Sequence, residues 1–241
     1  MSNFEIPESG LDSSINDLIA QTKTEIPVLT EEVLSGLYEF DGTDFNIFDA
    51  VNVVGVFAGI KPTALLTTIS AGGVNIESVF NRMGLTCVNV DPRTFVLSRH
   101  CELADAMADL YEQGGCRTDD AQMQRSVGKL LGFPETATEY YVERLQFERR
   151  TGVLIPAIEF PGLESSGEYG RMHNFRQFIL SPSHAAEEVA QYCEPLRQAT
   201  EIMTPHLYER VLEKPGVQPR DRLLIRAAKS LASFVKRKHT K

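Results

Sequence analysis

The sequence predicts an α/β protein with a small mixed sheet and a helix-rich C-terminal half. Two patterns carry that prediction. Between residues 51 and 98, short apolar runs rich in β-branched residues alternate with a helical stretch and are punctuated by Gly, Pro and Asp. Beyond residue 101, apolar residues recur at helical spacing through segments too long for ordinary strands. The 241-residue chain can bury a substantial core as a single domain. Its expected parts are an acidic helical segment (1–43), an α/β core (44–213) and a basic C-terminal helix (214–241).

Two amphipathic helices are expected first. One runs from Ser13 to Thr22, with Ile15, Leu18 and Ile19 on one face; the other follows Thr30, whose hydroxyl can cap it, and ends near Phe40. Val51–Ile60 reads as a buried strand ended by Lys61-Pro62, and Thr63–Ile69 as a short helix or a second strand. Ala71-Gly72-Gly73 reads as a loop without a phosphate-binding glycine pattern. Asn75–Met83 is helical up to Gly84, and Thr86–Val90 and Phe95–Ser98 are strands separated by an Asp91-Pro92 turn.

Three helices are expected next: Glu102–Gln113, one capped by Thr118 or Asp119 that runs to Leu131, and Glu135–Arg149. On the last of these, Glu143, Arg144 and Glu148 read as a salt-bridged exposed face. Gly152–Phe160 suits an edge strand and Phe175–Leu180 a further strand. Ser181 or Ser183 then caps a long helix with Glu187 and Glu188 in its early turns, divided at Pro195 and Pro205. From Pro219 a final helix puts Leu224, Ala228, Leu231 and Val235 on one face.

The net charge of −9 conceals a polarity. Residues 1–50 hold eleven acids against Lys23 alone, whereas residues 220–241 hold eight Lys and Arg against Asp221. Such a tail suits an acidic partner or the chain's own acidic part. Its expected contact residues are Arg222, Arg226, Lys229, Lys236, Arg237 and Lys238. Nucleic-acid binding through them has weak support, because Phe234 is the only aromatic available for stacking. No apolar run is long enough to span a bilayer and the first residues lack a secretory pattern, so a cytoplasmic protein without a membrane partner is expected.

Candidate chemistry is sparse. Lys61, Arg125 and Lys129 form a basic pocket for a phosphate or carboxylate if the segment ending at Ile60 lies beside the helix carrying the other two. Glu135 and His184 are the acid–base groups that could converge on it. At a strand-to-helix junction, Cys101 next to His100 is a position where a thiol pKa can fall. Cys87, Cys101, Cys116 and Cys193 lack paired spacing and read as buried or half-buried free thiols, with no metal and no cofactor expected.

Three blocks recur in order: Gly59-Ile60-Lys61-Pro62-Thr63-Ala64-Leu65-Leu66, Gly128-Lys129-Leu130-Leu131-Gly132-Phe133-Pro134, and Ile179-Leu180-Ser181-Pro182-Ser183-His184 followed by Glu187 and Pro205-His206-Leu207-Tyr208. Together they resemble a family of archaeal and bacterial proteins of unknown function. In that family the second block continues Gly-Tyr-Pro-x-Cys-Cys and the third reads Cys-Ser-Pro-x-Cys. The resemblance implies that a thiolate centre, suited to zinc or an iron–sulfur cluster, has been lost. Its cysteine positions are Thr136, Ala137, Leu180 and His184 in this chain. The leading expectation is therefore a non-catalytic binding or scaffold protein with a degenerate metal site. The alternative is an enzyme acting on a phosphorylated or carboxylated small molecule held by Lys61, Arg125 and Lys129.

Overall fold

The computed structural model describes residues 11–25, 28–41, 47–68, 76–114, 118, 120–153 and 180–213. The elements in chain order are α1 (Ser13–Thr24), α2 (Glu31–Asp41), α3 (Ile47–Phe57), β1 (Thr63–Thr67), α4 (Ile76–Arg82), β2 (Thr86–Asp91), β3 (Thr94–Ser98), α5 (Cys101–Glu112), α6 (Ala121–Leu130) and α7 (Glu135–Thr151). After these come α8 (Ala185–Glu188), a π-helical turn (Val189–Cys193), α9 (Glu194–Met203) and α10 (Pro205–Glu213). The α/β class and the helix-rich C-terminal half are as expected. The small sheet, expected to be mixed, has order β1-β3-β2 with both pairings antiparallel.

β3 lies at the centre, and its alternation divides the interior. Val96 is opposite Leu65 on one side and Val88 on the other, and these face a core built with α1, α5 and α6. Phe95 and Leu97 are opposite Leu66 and Ala64, and these face a second core formed with α2, α3, α4 and the helices after residue 184. Helices therefore cover both faces of the sheet. The N-terminal helices belong to these cores, with Ile15 and Ile19 of α1 in the first and Val33 and Leu37 of α2 in the second.

The strand expected at Val51–Ile60 is a helix, α3. Val51, Val53, Val54 and Val56 are all fully buried, because α3 packs on β1, β3, α2, α9 and α10. Apart from exposed Phe48 and half-buried Asn52 the helix is buried, so it has no polar stripe and its periodicity resembles that of a buried strand. Burial here overrides the β-branched preference for strands. Thr63–Thr67 is a strand, and the Asp91–Pro92 turn joins β2 to β3.

Helix starts show further corrections. Asp120, not Thr118 or Asp119, caps α6, with its carboxylate accepting from the Met123 N–H at 2.8 Å. The residue before α8 is His184, which makes no side-chain cap bond; the Ser181 hydroxyl accepts from the His184 N–H at 3.2 Å, so it caps the turn ahead of the helix rather than the helix itself. Pro195 does not divide the helix. The π turn lengthens the hydrogen-bond ladder just ahead of it, with the Glu194 N–H reaching Val189, and Pro195 opens α9 where its missing N–H costs little. Pro205 does mark a break, at Thr204.

Arg144 is buried, and its Nε donates to Glu148 at 2.8 Å; the face expected to be exposed is therefore partly internal. Cys101 is exposed, Cys87 is half-buried and Cys193 is buried. The Ala71–Gly73 loop, Cys116, the expected strands at Gly152–Phe160 and Phe175–Leu180 beyond their described ends, and the tail residues Arg222, Arg226, Lys229, Lys236, Arg237 and Lys238 lie outside the described residues. Among the described residues, no helix is long and apolar enough to cross a membrane.

Candidate ligand-binding cleft

The joint between α6 and α7 organises the site. Gly132 has φ 74°, a left-handed conformation that lets the Phe133 N–H reach the Gly128 carbonyl and the Gly132 N–H reach that of Lys129. These two bonds satisfy orphan carbonyls at the end of α6 and turn the chain. Pro134 follows and accepts from the Thr138 N–H at the start of α7. A Cβ at Gly132 would lie 2.8 Å from Pro62 Cδ, so the joint rests directly on the Ile60–Pro62 turn. The Thr63 hydroxyl donating to the Leu130 carbonyl at 2.8 Å locks that contact.

The third sequence block meets the second. Glu188 is fully buried, and its two carboxylate oxygens accept from the Thr136 hydroxyl at 2.6 Å and the Ser181 N–H at 2.8 Å. This clip ties the start of α7 to the turn before α8. Thr136, Ala137, Leu180 and His184 are the positions where the resemblance places cysteines. Ala137 and Leu180 are buried and apolar there, and Thr136 is bonded to Glu188. Among the described residues, no group of three His, Cys, Asp or Glu side chains is arranged to hold a metal ion.

A cleft of about 740 Å³ opens where these elements meet. α1 contributes Asn16, Ile19 and Lys23, and the turn after α3 contributes Ile60. Arg125, Ser126 and Lys129 come from α6, Phe133 and Pro134 from the joint, and Glu135, Thr138 and Glu139 from α7. Gln191, Tyr192 and Pro195 close the wall from the π turn and α9. The wall is therefore apolar at Ile19, Ile60, Phe133 and Pro195, with cationic side chains from two separate helices.

The expected residues are distributed unequally over this site. Arg125 and Lys129 share one face of α6 and both line the cleft, as their spacing implied, and Glu135 lines it too. Arg125 is already engaged, with its guanidinium donating to both Glu139 oxygens at 2.6 and 2.8 Å, a pairing that holds the Glu139 carboxyl below its ordinary range. Lys129 and Lys23 are exposed, and neither forms an ion pair among the described residues.

Lys61 does not line the cleft. It is buried, with its Nζ donating to Asn52 Oδ1 at 2.6 Å and lying 5.6 Å from the Phe133 ring and 5.9 Å from the Tyr192 ring. Gly55 makes room for it, since a Cβ there would meet Lys61 Cδ at 2.9 Å. Burial pulls the Lys61 ammonium down to about 7, against the opposing pull of the Asp49 carboxylate. His184 also lies away from the cleft; it is exposed, with Nδ1 2.9 Å from Ser183 Oγ.

The junction does not lower the Cys101 thiol. A hydrogen bond to Glu102 and that carboxylate's charge raise the Cys101 thiol instead. Burial likewise raises the Tyr192 phenol well above its ordinary value. Sequence reasoning missed Lys23, Tyr192, Gln191 and Glu188, whose roles depend on tertiary neighbours. Compared with protein families, curated protein sequences and solved structures, the chain matches none of them.

Proposed function

We propose that the protein is a non-catalytic binding protein whose cleft takes a small carboxylated or phosphorylated molecule. One observation carries this reading. Lys23 of α1 and Lys129 of α6 line the same cleft of about 740 Å³, beside the apolar side chains of Ile19, Ile60 and Phe133. That volume is typical of small-molecule sites. Cations beside an apolar wall suit an anionic head on a hydrophobic body.

The side chains around the cleft favour binding over catalysis. Among the described residues neither His nor Cys lines it, Glu139 is engaged by Arg125, and the Tyr192 phenol stays protonated at neutral pH. The test is a thermal-shift screen of aromatic and aliphatic carboxylates and phosphate esters against the wild type and Lys129→Ala. Stabilisation by an anionic aromatic compound, weakened in the variant, is expected. No stabilisation by any member of the panel counts against the reading.

The charge asymmetry supports a second proposed contact, in a cytoplasmic setting. The basic tail, with Arg222, Arg226, Lys229, Lys236, Arg237 and Lys238, would dock on an acidic protein partner. Binding to polyanionic nucleic acid that falls steeply with salt and disappears on deletion of 220–241 would transfer that role to nucleic acid.

A further inference from the structure

We infer that Lys61 makes the cleft pH-responsive, its buried ammonium favouring a bound anion through the Phe133 and Tyr192 rings and its deprotonation weakening that hold. The inference rests on the binding role proposed for the cleft and concerns the regulation of that site.

The geometry is that of a charge set behind a wall. Phe133 and Tyr192 line the cleft, and their rings meet edge-to-face at 5.9 Å between centroids. Lys61 Nζ lies behind both rings, close enough to each for a cation–π attraction. Among the described residues, Asp49 is the charge acting on it. α3 offers the buried Asp49 carboxylate and the Asn52 amide, the α6–α7 joint offers Phe133, and the π turn offers the Tyr192 phenol. Asp49 is the charge opposing the loss of the Lys61 proton.

The free amine forms near neutrality because the ammonium is desolvated, and the two forms differ in their effect on the cleft. The ammonium draws the negative faces of both rings toward itself. It also places one positive charge behind the wall, about 10 Å from a ligand packed on the far side of Phe133, at an effective dielectric of about 20. That attraction corresponds to roughly tenfold in affinity. Linkage then requires the bound anion to raise the Lys61 pKa in return.

The experiment has two readouts on the full chain. In the first, protein carrying ¹³C-labelled Phe and Tyr rings is titrated from pH 5.5 to 9 by NMR, with Phe133→Leu and Tyr192→Phe spectra assigning the resonances. Both rings are expected to shift with a common midpoint close to neutrality in the wild type, and to lose that titration in Lys61→Met. In the second, benzoate, whose carboxylate stays ionised throughout, is titrated calorimetrically at pH 6 and pH 8.5. Affinity about tenfold higher at pH 6 is expected in the wild type, and equal affinity at both pH values in Lys61→Met.

Each outcome decides the matter. Rings that do not titrate in the wild type overturn the inference without recourse to any variant. Benzoate binding that is equally tight at both pH values overturns it while leaving the cleft reading intact. Benzoate binding at neither pH overturns the cleft reading, and the regulation falls with it.

Discussion

Replacing Lys61 by Met removes a buried ammonium while keeping most of its aliphatic stem, and the consequence for stability has a definite sign. In the folded protein the amine titrates at about 7, against an ordinary 10.5. Between those values the unfolded chain binds more protons than the folded one, so this group makes stability rise with pH through that window. Below it both states hold the proton and the contribution is flat. Integrating a single site gives about 0.4 kcal/mol between pH 5 and 7 and about 2.3 kcal/mol between pH 7 and 9. The assay is urea unfolding of wild type and Lys61→Met at pH 5, 7 and 9. Groups common to both proteins cancel in the difference. The wild type should gain on the variant by about 2 kcal/mol from pH 7 to 9. A difference that stays constant across those two pH values would refute the claim that Lys61 is a desolvated cation.

Three further outcomes are expected. Glu188→Ala leaves the Thr136 hydroxyl and the Ser181 N–H without their buried acceptor, so urea unfolding should show a loss of about 2–4 kcal/mol. Gly128→Ala sets a Cβ 2.6 Å from Thr138 Oγ1 between α6 and α7. Overpacking of about 1–3 kcal/mol should exceed the gain of about 1 kcal/mol in helix propensity, and a second change, Thr138→Ala, should restore much of the loss. Cys101 is exposed but carries a thiol raised by Glu102, so iodoacetamide at pH 7.5 should label it more slowly than free glutathione, and Glu102→Gln should accelerate the labelling several-fold.

What the sequence reveals follows from how local each cause is. α5 was legible because it has one apolar stripe, and both α5 and α7 end where a glycine can turn the chain, at Gly114 and Gly152. β2 and β3 were legible as short runs on either side of the Asp91-Pro92 turn signal. α3 was not, because part of what buries it, β3 and the helices α9 and α10, comes from distant parts of the chain.

The same division applies to the cleft. Arg125 and Lys129 could be placed on one face by counting residues. Lys61 carried the right charge for a basic pocket, but Gly55, Phe133 and Tyr192 enclose it, and that enclosure is a tertiary fact. Glu188 reads in sequence as an acid complementing a helix dipole, yet it is a fully buried tie between two turns. Lys23 had no local signal at all, since only the packing of α1 on the body turns it toward Lys129.

The central claim is that Lys23 and Lys129 hold an anion in one cleft. Isothermal titration calorimetry with benzoate at pH 6 tests it most directly, using wild type, the double variant Lys23→Ala/Lys129→Ala, and His184→Ala as a control outside the cleft. Saturable binding is expected that weakens at least tenfold in the double variant and is unchanged in His184→Ala. Binding that survives the double variant, or that is lost with His184→Ala, would contradict it.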